Sequence, residues 1–222
     1  MTNKLIKYLS RFITEERFFL FNKISKERTR YITVVLEDIF QPHNASAVLR
    51  SCDCFGIQDV HIIENENEYT VNPDVALGSS KWLNLYKYNK KENNTLYTIN
   101  KLKEKGYRII ATTPHNNDVN LENFNILKGK FALMFGSEQP GLSKIALENA
   151  DAFLKIPMYG FTESFNISVS AAIVLHHLSL KLRQSDINFT LTTIEQEEII
   201  LEWLKRSIKD SERIIKKYLS EK

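Results

Sequence analysis

The chain is short of several things at once. Among its 222 residues are two cysteines, Cys52 and Cys54, too few for a zinc set or a disulfide framework. They stand two apart in a predicted helix, so they point to different faces, and a reducing cytoplasm is the compartment that suits them. No apolar run approaches the roughly 18–20 residues that cross a bilayer. The opening "MTNKLIKYLSRFITEERFFLF" is interrupted by Lys, Arg and Glu throughout, unlike a secretory signal. Glycine is scarce too. There are seven, none in a GxGxxG or GxxxxGKS/T pattern, which disfavours an ordinary dinucleotide or P-loop site. No GxSxG elbow occurs, and no His/Cys or His/carboxylate spacing of the kind metals need, so no metal is expected. Internal repeats, low-complexity tracts and Gly/Ser linkers are also missing.

What is present is ordinary globular material, 43% hydrophobic and 26% charged, which argues against disorder and allows one sizeable core. The net charge of +3 hides an asymmetry. Residues 1–30 carry eight Lys/Arg against three Glu, and residues 203–222 carry seven against three acids, which leaves about −6 on residues 31–202. Basic ends on an acidic centre suit polyanion binding at the termini, and equally the solvated faces of terminal helices.

Residues 4–27 read as one or two short helices. From Tyr31 the texture changes to strands alternating with helices. "YITVVLE", "DVHIIE", "LNLYKY", "YRIIATT", "KFALMFG" and "FLKIPM" read as strands. "NASAVLRSCDCFG", "LYTINKLKEKG" and "LSKIALENA" read as helices, the first two stopping at Gly56 and Gly106, and closing helices run over about 166–184 and 194–219. The expected fold class is α/β, a mainly parallel sheet with helices on both faces plus terminal helices. Ligands on such sheets sit beyond the carboxyl ends of the strands, so the informative loops follow residues 36, 113, 136 and 158. The last helix carries an apolar stripe of Ile200, Trp203, Leu204, Ile208, Ser211, Ile215 and Leu219, expected to dock on the domain or on a sister subunit. Its other face holds Lys205, Lys209, Arg213, Lys216 and Lys217.

Three segments at strand ends, "QPHNASAVLRSCDCFGI", "ALMFGSEQPGLS" and "IPMYGFTESFNISVSAAIVL", together resemble the three signature motifs of the SpoU branch of the SPOUT RNA ribose-2′-O-methyltransferases. Asn44 and Arg50 match the first motif. Gly136, Glu138 and Gly141 match the second, and Ile156, Pro157, Met158, Ser164, Asn166 and Ser168 the third. "GSSKWL", "KEKGYRIIATT" and the basic last helix look like the tRNA guanosine-2′-O-methyltransferases of that branch, which act on the D-loop guanosine at tRNA position 18. The resemblance implies an N-terminal helical extension over 1–27, a SPOUT methyltransferase domain over 28–185 and a basic amphipathic C-terminal helix over 186–222. It also implies a deep C-terminal trefoil knot, an exception to the rule against threaded chains. "YGFTESFN" would be the knotted loop and, with the loops after 112 and 136, would hold S-adenosyl-L-methionine in a bent shape.

The same resemblance implies roles for single residues. Thr112, Gly136, Ile156 and Phe165 line the cofactor pocket. Arg50 takes the 2′-hydroxyl proton, although a guanidinium, almost never neutral, is better suited to orienting the ribose and its phosphate. Asn44 holds that arginine, Glu138 anchors it or a partner subunit's loop, and Ser164 and Asn166 face the cofactor and Arg50. On their own the residues read more plainly. Asn44 suits an N-cap, and Ser164 and Asn166 suit caps of the helix starting near 166. Glu138 suits an exposed loop, and Arg50 the helix face opposite Val48, Cys52 and Phe55. His43, His176 and His177 receive no chemistry. The partners implied are tRNA, with Lys209, Arg213, Lys216 and Lys217 on its phosphates, and a second copy of the chain in a homodimer; no membrane is implied. The alternatives are the same chemistry on ribosomal RNA or another tRNA ribose, and a catalytically silent RNA-binding knotted protein.

Overall fold

A computed structural model describes residues 2–70, 72–114 and 119–220. In chain order it contains α1 (Thr2–Leu9), α2 (Glu15–Ser25), β1 (Ile32–Glu37), α3 (Pro42–Cys54), β2 (Asp59–Ile63), a one-turn helix α4 (Pro73–Ala76) and β3 (Asn84–Tyr88). Then come α5 (Asn94–Glu104), β4 (Arg108–Thr112), β5 (Val119–Asn120), β6 (Phe131–Phe135), α6 (Lys144–Glu148), β7 (Ala152–Lys155), α7 (Ile167–Arg183), α8 (Thr193–Ser207) and α9 (Ser211–Ser220). The chain divides into two compact units, Arg30–Phe189 and the two ends, Met1–Thr29 with Thr190–Lys222.

The larger unit is built on one sheet. Among the described residues its strands run in the order β3-β2-β1-β6-β4-β7-β5, every neighbouring pair parallel. The central strands read as continuous apolar runs because helices cover both faces. All residues of β1, β2 and β6 are buried. One face packs Val34, Leu36, Val60, Leu133 and Phe135 against Val48, Leu49 and Cys52 of α3 and Ala171, Val174 and Leu178 of α7. The other packs Val35, Ile109, Ala132 and Met134 against Ile99 and Leu102 of α5 and Ala146 of α6.

Local signals set the element ends. Pro42 occupies the first turn of α3, where its missing N–H costs nothing. At the other end Gly56 takes φ +78°, and Ile57 N–H reaches back to Cys52 O at 2.9 Å while Gly56 N–H bonds Asp53 O. This is the glycine-terminated helix end expected from the sequence. The helix starts two residues earlier than expected, with Gln41 as its N-cap residue, so Asn44 lies inside the first turn and is not the cap. Strand β7 is shorter than "FLKIPM" suggested. It ends at Lys155, because Pro157 offers the ladder no donor. The two-residue β5 carries no periodic pattern and was not expected.

In the smaller unit the closing helix is broken. α8 ends at Ser207, Ile208 turns to an extended backbone and Asp210 adopts φ +56° before α9 begins. Asp210 O then accepts from Arg213 and Ile214 N–H, restarting the helix. The continuous apolar stripe hid this break, although "DSE" is a capping-type sequence. The stripe's inner half finds its partner in α1 and α2. Trp203 is 2% exposed, meets Phe21 edge-on at 5.5 Å and has the Arg28 guanidinium 5.4 Å above it. A capping box at Thr192 and Glu195 opens α8. The stripe fails beyond Ser211, since Leu219 is 47% exposed.

Candidate active site

The switch in strand order falls between β1 and β6, whose partners were laid down on opposite sides. In open parallel sheets this is where ligands sit, beyond the carboxyl ends. The loop after β1 leads into α3, the loop after β6 holds residues 136–143, and the loop after β7 holds 156–166. All three converge on Asn44. Its side chain is 4% exposed. Asn44 Nδ2 donates to Glu138 Oε1 at 2.5 Å and to Gln41 Oε1 at 3.3 Å, and Oδ1 accepts from Asn166 Nδ2 at 3.1 Å. A carboxylate only accepts, so Glu138 fixes which end of the Asn44 amide faces it. Asn166 in turn caps α7, its Oδ1 accepting from Ser168 N–H at 2.8 Å and Ser168 Oγ at 2.6 Å. The capping read for Asn166 is therefore present together with its contact to Asn44.

Gly136 has a steric reason to be glycine. A Cβ there would stand 2.1 Å from Gly141 C and 2.2 Å from Leu142 N, closer than side chains tolerate. The loop folds back on itself, Ser137 N–H donating to Gly141 O at 3.1 Å, with Gly141 at φ +86°. This pinch carries the exposed Glu138 toward Asn44. Beneath it lies a residue that motif reading passed over. Glu37, the last residue of β1, is 2% exposed. Its carboxylate accepts from Thr95 Oγ1 at 2.6 Å, Ser143 N–H at 2.8 Å and Ser143 Oγ at 2.7 Å. It thereby ties β1, the start of α5 and the start of α6 together. The signal was available: a charge ending a buried apolar strand must find partners. The neighbouring Asp38, at φ +48°, accepts from the backbone N–H groups of Asn65, Glu66 and Asn67, ordering the loop after β2.

Not every candidate joins this cluster. Arg50 lies six residues along α3 from Asn44, about 9 Å up the axis and a third of a turn away. It is exposed and, among the described residues, has no hydrogen-bond or ion-pair partner. Within one chain, neither Asn44 nor Glu138 contacts it. Ser164 is exposed and, among the described residues, has no hydrogen-bond partner. Thr112 Oγ1 is spent on Met134 O at 2.7 Å. Ile156 is half-buried against the core, and Phe165 is 44% exposed. The loop after Thr112 includes residues 115–118, which lie outside the described residues. Tyr159 and Phe161 of the loop after β7 are fully in solvent, at 96% and 107%. Lys209, Arg213, Lys216 and Lys217 are all exposed. His176 and His177 line an apolar groove of about 500 Å³ with Phe55, Ile156, Pro157 and Ile173. Among the described residues no group of His, Cys, Asp and Glu is placed to hold a metal ion, and no helix is long and apolar enough to cross a membrane.

The arrangement offers three loops with free backbone groups, a carboxylate fixed by an amide, and an unpaired guanidinium on the adjoining helix. It suits holding two ligands side by side and, among the described residues, contains no built nucleophile. Comparison with known proteins agrees on one family. Residues 31–176 match the SpoU rRNA methylase family. The chain is 46% identical over 207 residues to the tRNA (guanosine(18)-2′-O)-methyltransferase of Borreliella burgdorferi, covering 93% of each. The A. aeolicus TrmH/SpoU tRNA modifying enzyme superposes with a TM-score of 0.78 at 24% identity, over 88% of this chain and 98% of that one. The SpoU methyltransferase AviRb from Streptomyces viridochromogenes, solved in complex with AdoMet, superposes with a TM-score of 0.59 at 17% identity, over 73% of this chain and 62% of its own.

Proposed function

The chain belongs to the SpoU rRNA methylase family, and on that premise we propose that it methylates the ribose 2′-hydroxyl of the guanosine at tRNA position 18, with S-adenosyl-L-methionine as donor. The observation that carries the reading is the meeting of all three motif segments at Asn44, in a chain alike over nearly its whole length to a tRNA guanosine(18) methyltransferase.

The residues fit such a donor. The loop 156–166 has no regular structure to occupy its amides, and Ile156 and Phe165 supply apolar surface for such a donor. Thr112, Gly136, Ile156 and Phe165 are the residues that would hold it. Bound there, S-adenosylmethionine supplies a methyl on a sulfonium, already a strong electrophile, so the protein has mainly to position the acceptor. Arg50, unpaired and exposed, is free to take the acceptor's phosphate and ribose bidentately. Asn44 holds Glu138 and Asn166 in a fixed relation, so the loops that grip the donor stay in register with the helix that bears Arg50. Ser164, unpaired in the same loop, is available to the reacting sugar.

The family's trefoil knot would be formed by the segment after β7, whose long return to α3 through Asn166 is consistent with threading. A second copy of the chain fits the groove lined by Phe55, Ile156, Pro157 and Ile173, beside the small Ala172 and the exposed Val169 and Leu180 of α7. Such an isologous contact would bring another chain's loops near Arg50, which has no partner in its own. Lys209, Arg213, Lys216 and Lys217 supply phosphate contacts, and the work belongs in the cytoplasm with tRNA. Labelled methyl transfer to unmodified tRNA and to ribosomal RNA, followed by mapping of the product nucleotide, tests the proposal. Label on a tRNA ribose 2′-oxygen at position 18 is expected; label confined to ribosomal RNA, or to a base, would overturn it.

A further inference from the structure

The far edge of the sheet carries a surface that the motifs do not account for. Residues 81–105 contain seven lysines and two glutamates, with no Asp, inside a central region that is otherwise acidic. β3 is the edge strand, paired only with β2 among the described residues. Its Tyr86 is 36% exposed, and Tyr97 of α5 is 38% exposed. The rings form a connected strip. His61 stacks on Tyr86 at 4.9 Å and on Tyr88 at 5.7 Å, and Tyr88 meets Tyr97 edge-on at 6.2 Å. Lys105 Nζ lies 5.7 Å from the Tyr86 ring. Lys91 and Lys101 approach the Tyr97 ring at 5.4 and 5.3 Å.

Within the segment Lys87 is held by the buried Glu64 and Lys103 by Asp151, and Lys81 is engaged as well. Lys90, Lys91, Lys101 and Lys105 have no ion pair among the described residues. Lys101 in the last turn of α5 and Lys105 at its C-cap stand four residues apart, and like charges at that spacing repel unless an anion answers them. His61 beneath them is held neutral, its pKa lowered to about 3 chiefly by burial, so the strip's charge belongs to the lysines.

We propose that this Tyr–Lys strip is a second tRNA contact, in which Lys91, Lys101 and Lys105 take phosphates and Tyr97 stacks an unpaired base, away from the reacting nucleotide. Exposed aromatics interleaved with cations are the common equipment of single-strand binding, because every base has a π-face and every linkage a charge. The lysines now covering the rings are held weakly at the surface and can swing to phosphates as a base arrives. The placement is right for one continuous substrate. β3 lies two strand spacings, about 10 Å, from β1. The strip's upper end is also the start of α5, whose Thr95 is bonded to Glu37 under the candidate active site.

This inference rests on the tRNA reading above, and the test separates the two. A Lys91→Ala/Lys101→Ala/Lys105→Ala variant and a Tyr97→Leu variant are compared with the unaltered chain. Affinity for unmodified tRNA is measured across a salt series, and steady-state methyl transfer alongside it. The triple variant should weaken binding by at least about tenfold and reduce the slope of log affinity against log salt by about 2–3. Tyr97→Leu should weaken binding about tenfold with the slope unchanged. Both should raise KM for tRNA and leave kcat and donor affinity alone. If the triple variant methylates tRNA with unchanged KM and salt slope, the strip faces something else, such as an acidic protein segment, and the inference is overturned while the enzyme reading stands. If the slope falls but no chain transfers methyl to tRNA, the surface stands and the enzyme reading falls.

Discussion

Asn44 and Arg50 divide the work of one helix. Asn44 is buried and fully engaged, bonded to both neighbouring loops, whereas Arg50 is exposed with its donors unused. Removing each should therefore fail differently. Arg50→Ala takes away the group proposed to act on the acceptor, so methyl transfer should fall to background while donor binding, measured by calorimetry, stays within about twofold. Asn44→Ala leaves Glu138 and Asn166 without their common partner and should loosen the loops proposed to hold the donor. A hydrogen bond to a charged group contributes about 1.5–3 kcal/mol, so donor affinity should fall by about tenfold or more. Equal loss of donor binding in both variants would contradict this division. At this scale the sequence was informative where spacing carries chemistry and misleading where it carries only propensity. Asn44 looks like an N-cap because Asn is a favoured cap residue, although Pro42 at the first helical position is the truer start signal, and nothing local in the sequence places its amide between Glu138 and Asn166. Glu37 was invisible as a site residue, since its partners Thr95 and Ser143 are distant in sequence and carry no motif.

At the level of elements, the apolar runs marked the major strands well because two-sided burial leaves a plain signature, as in β1 and β6. The exceptions have local causes. β7 stops early at a proline, β5 is too short to be periodic, and the break between α8 and α9 lies under an unbroken apolar stripe. What the runs did not reveal is how the strand ends are clamped. Glu37 joins three elements at the carboxyl edge through one buried carboxylate. Glu37→Gln keeps the shape but turns an acceptor into a donor facing Thr95 or Ser143. The loop carrying Gly136 and Glu138 should then lose its fixed end at Ser143. Donor Kd is expected to rise about tenfold, from the cost of a charged hydrogen bond, with kcat at saturating donor nearly unchanged. A loss of thermal stability without any change in donor Kd would make Glu37 a purely structural residue.

For the whole molecule, the charge asymmetry read from composition separates into surfaces. In the smaller unit, Lys209 sits in the break and Arg213, Lys216 and Lys217 lie on α9, all exposed. Replacing these four by Gln should lower the salt slope of tRNA binding by about 3–4, at roughly 0.9 per phosphate contact, and an unaltered slope would remove α9 from the RNA surface. The family and its chemistry were legible because three short motifs each fall at a strand end. The joining of both chain ends in one helical unit was not, since no local pattern says that α8 packs on α1 and α2. The central claim is that the clustered loops present a methyl donor to one ribose hydroxyl of tRNA, and it reduces to a single atom. Labelled methyl transfer is compared on an unmodified tRNA and on the same tRNA with 2′-deoxyguanosine at position 18. The account predicts full incorporation on the first and background on the second; equal incorporation on both would contradict it.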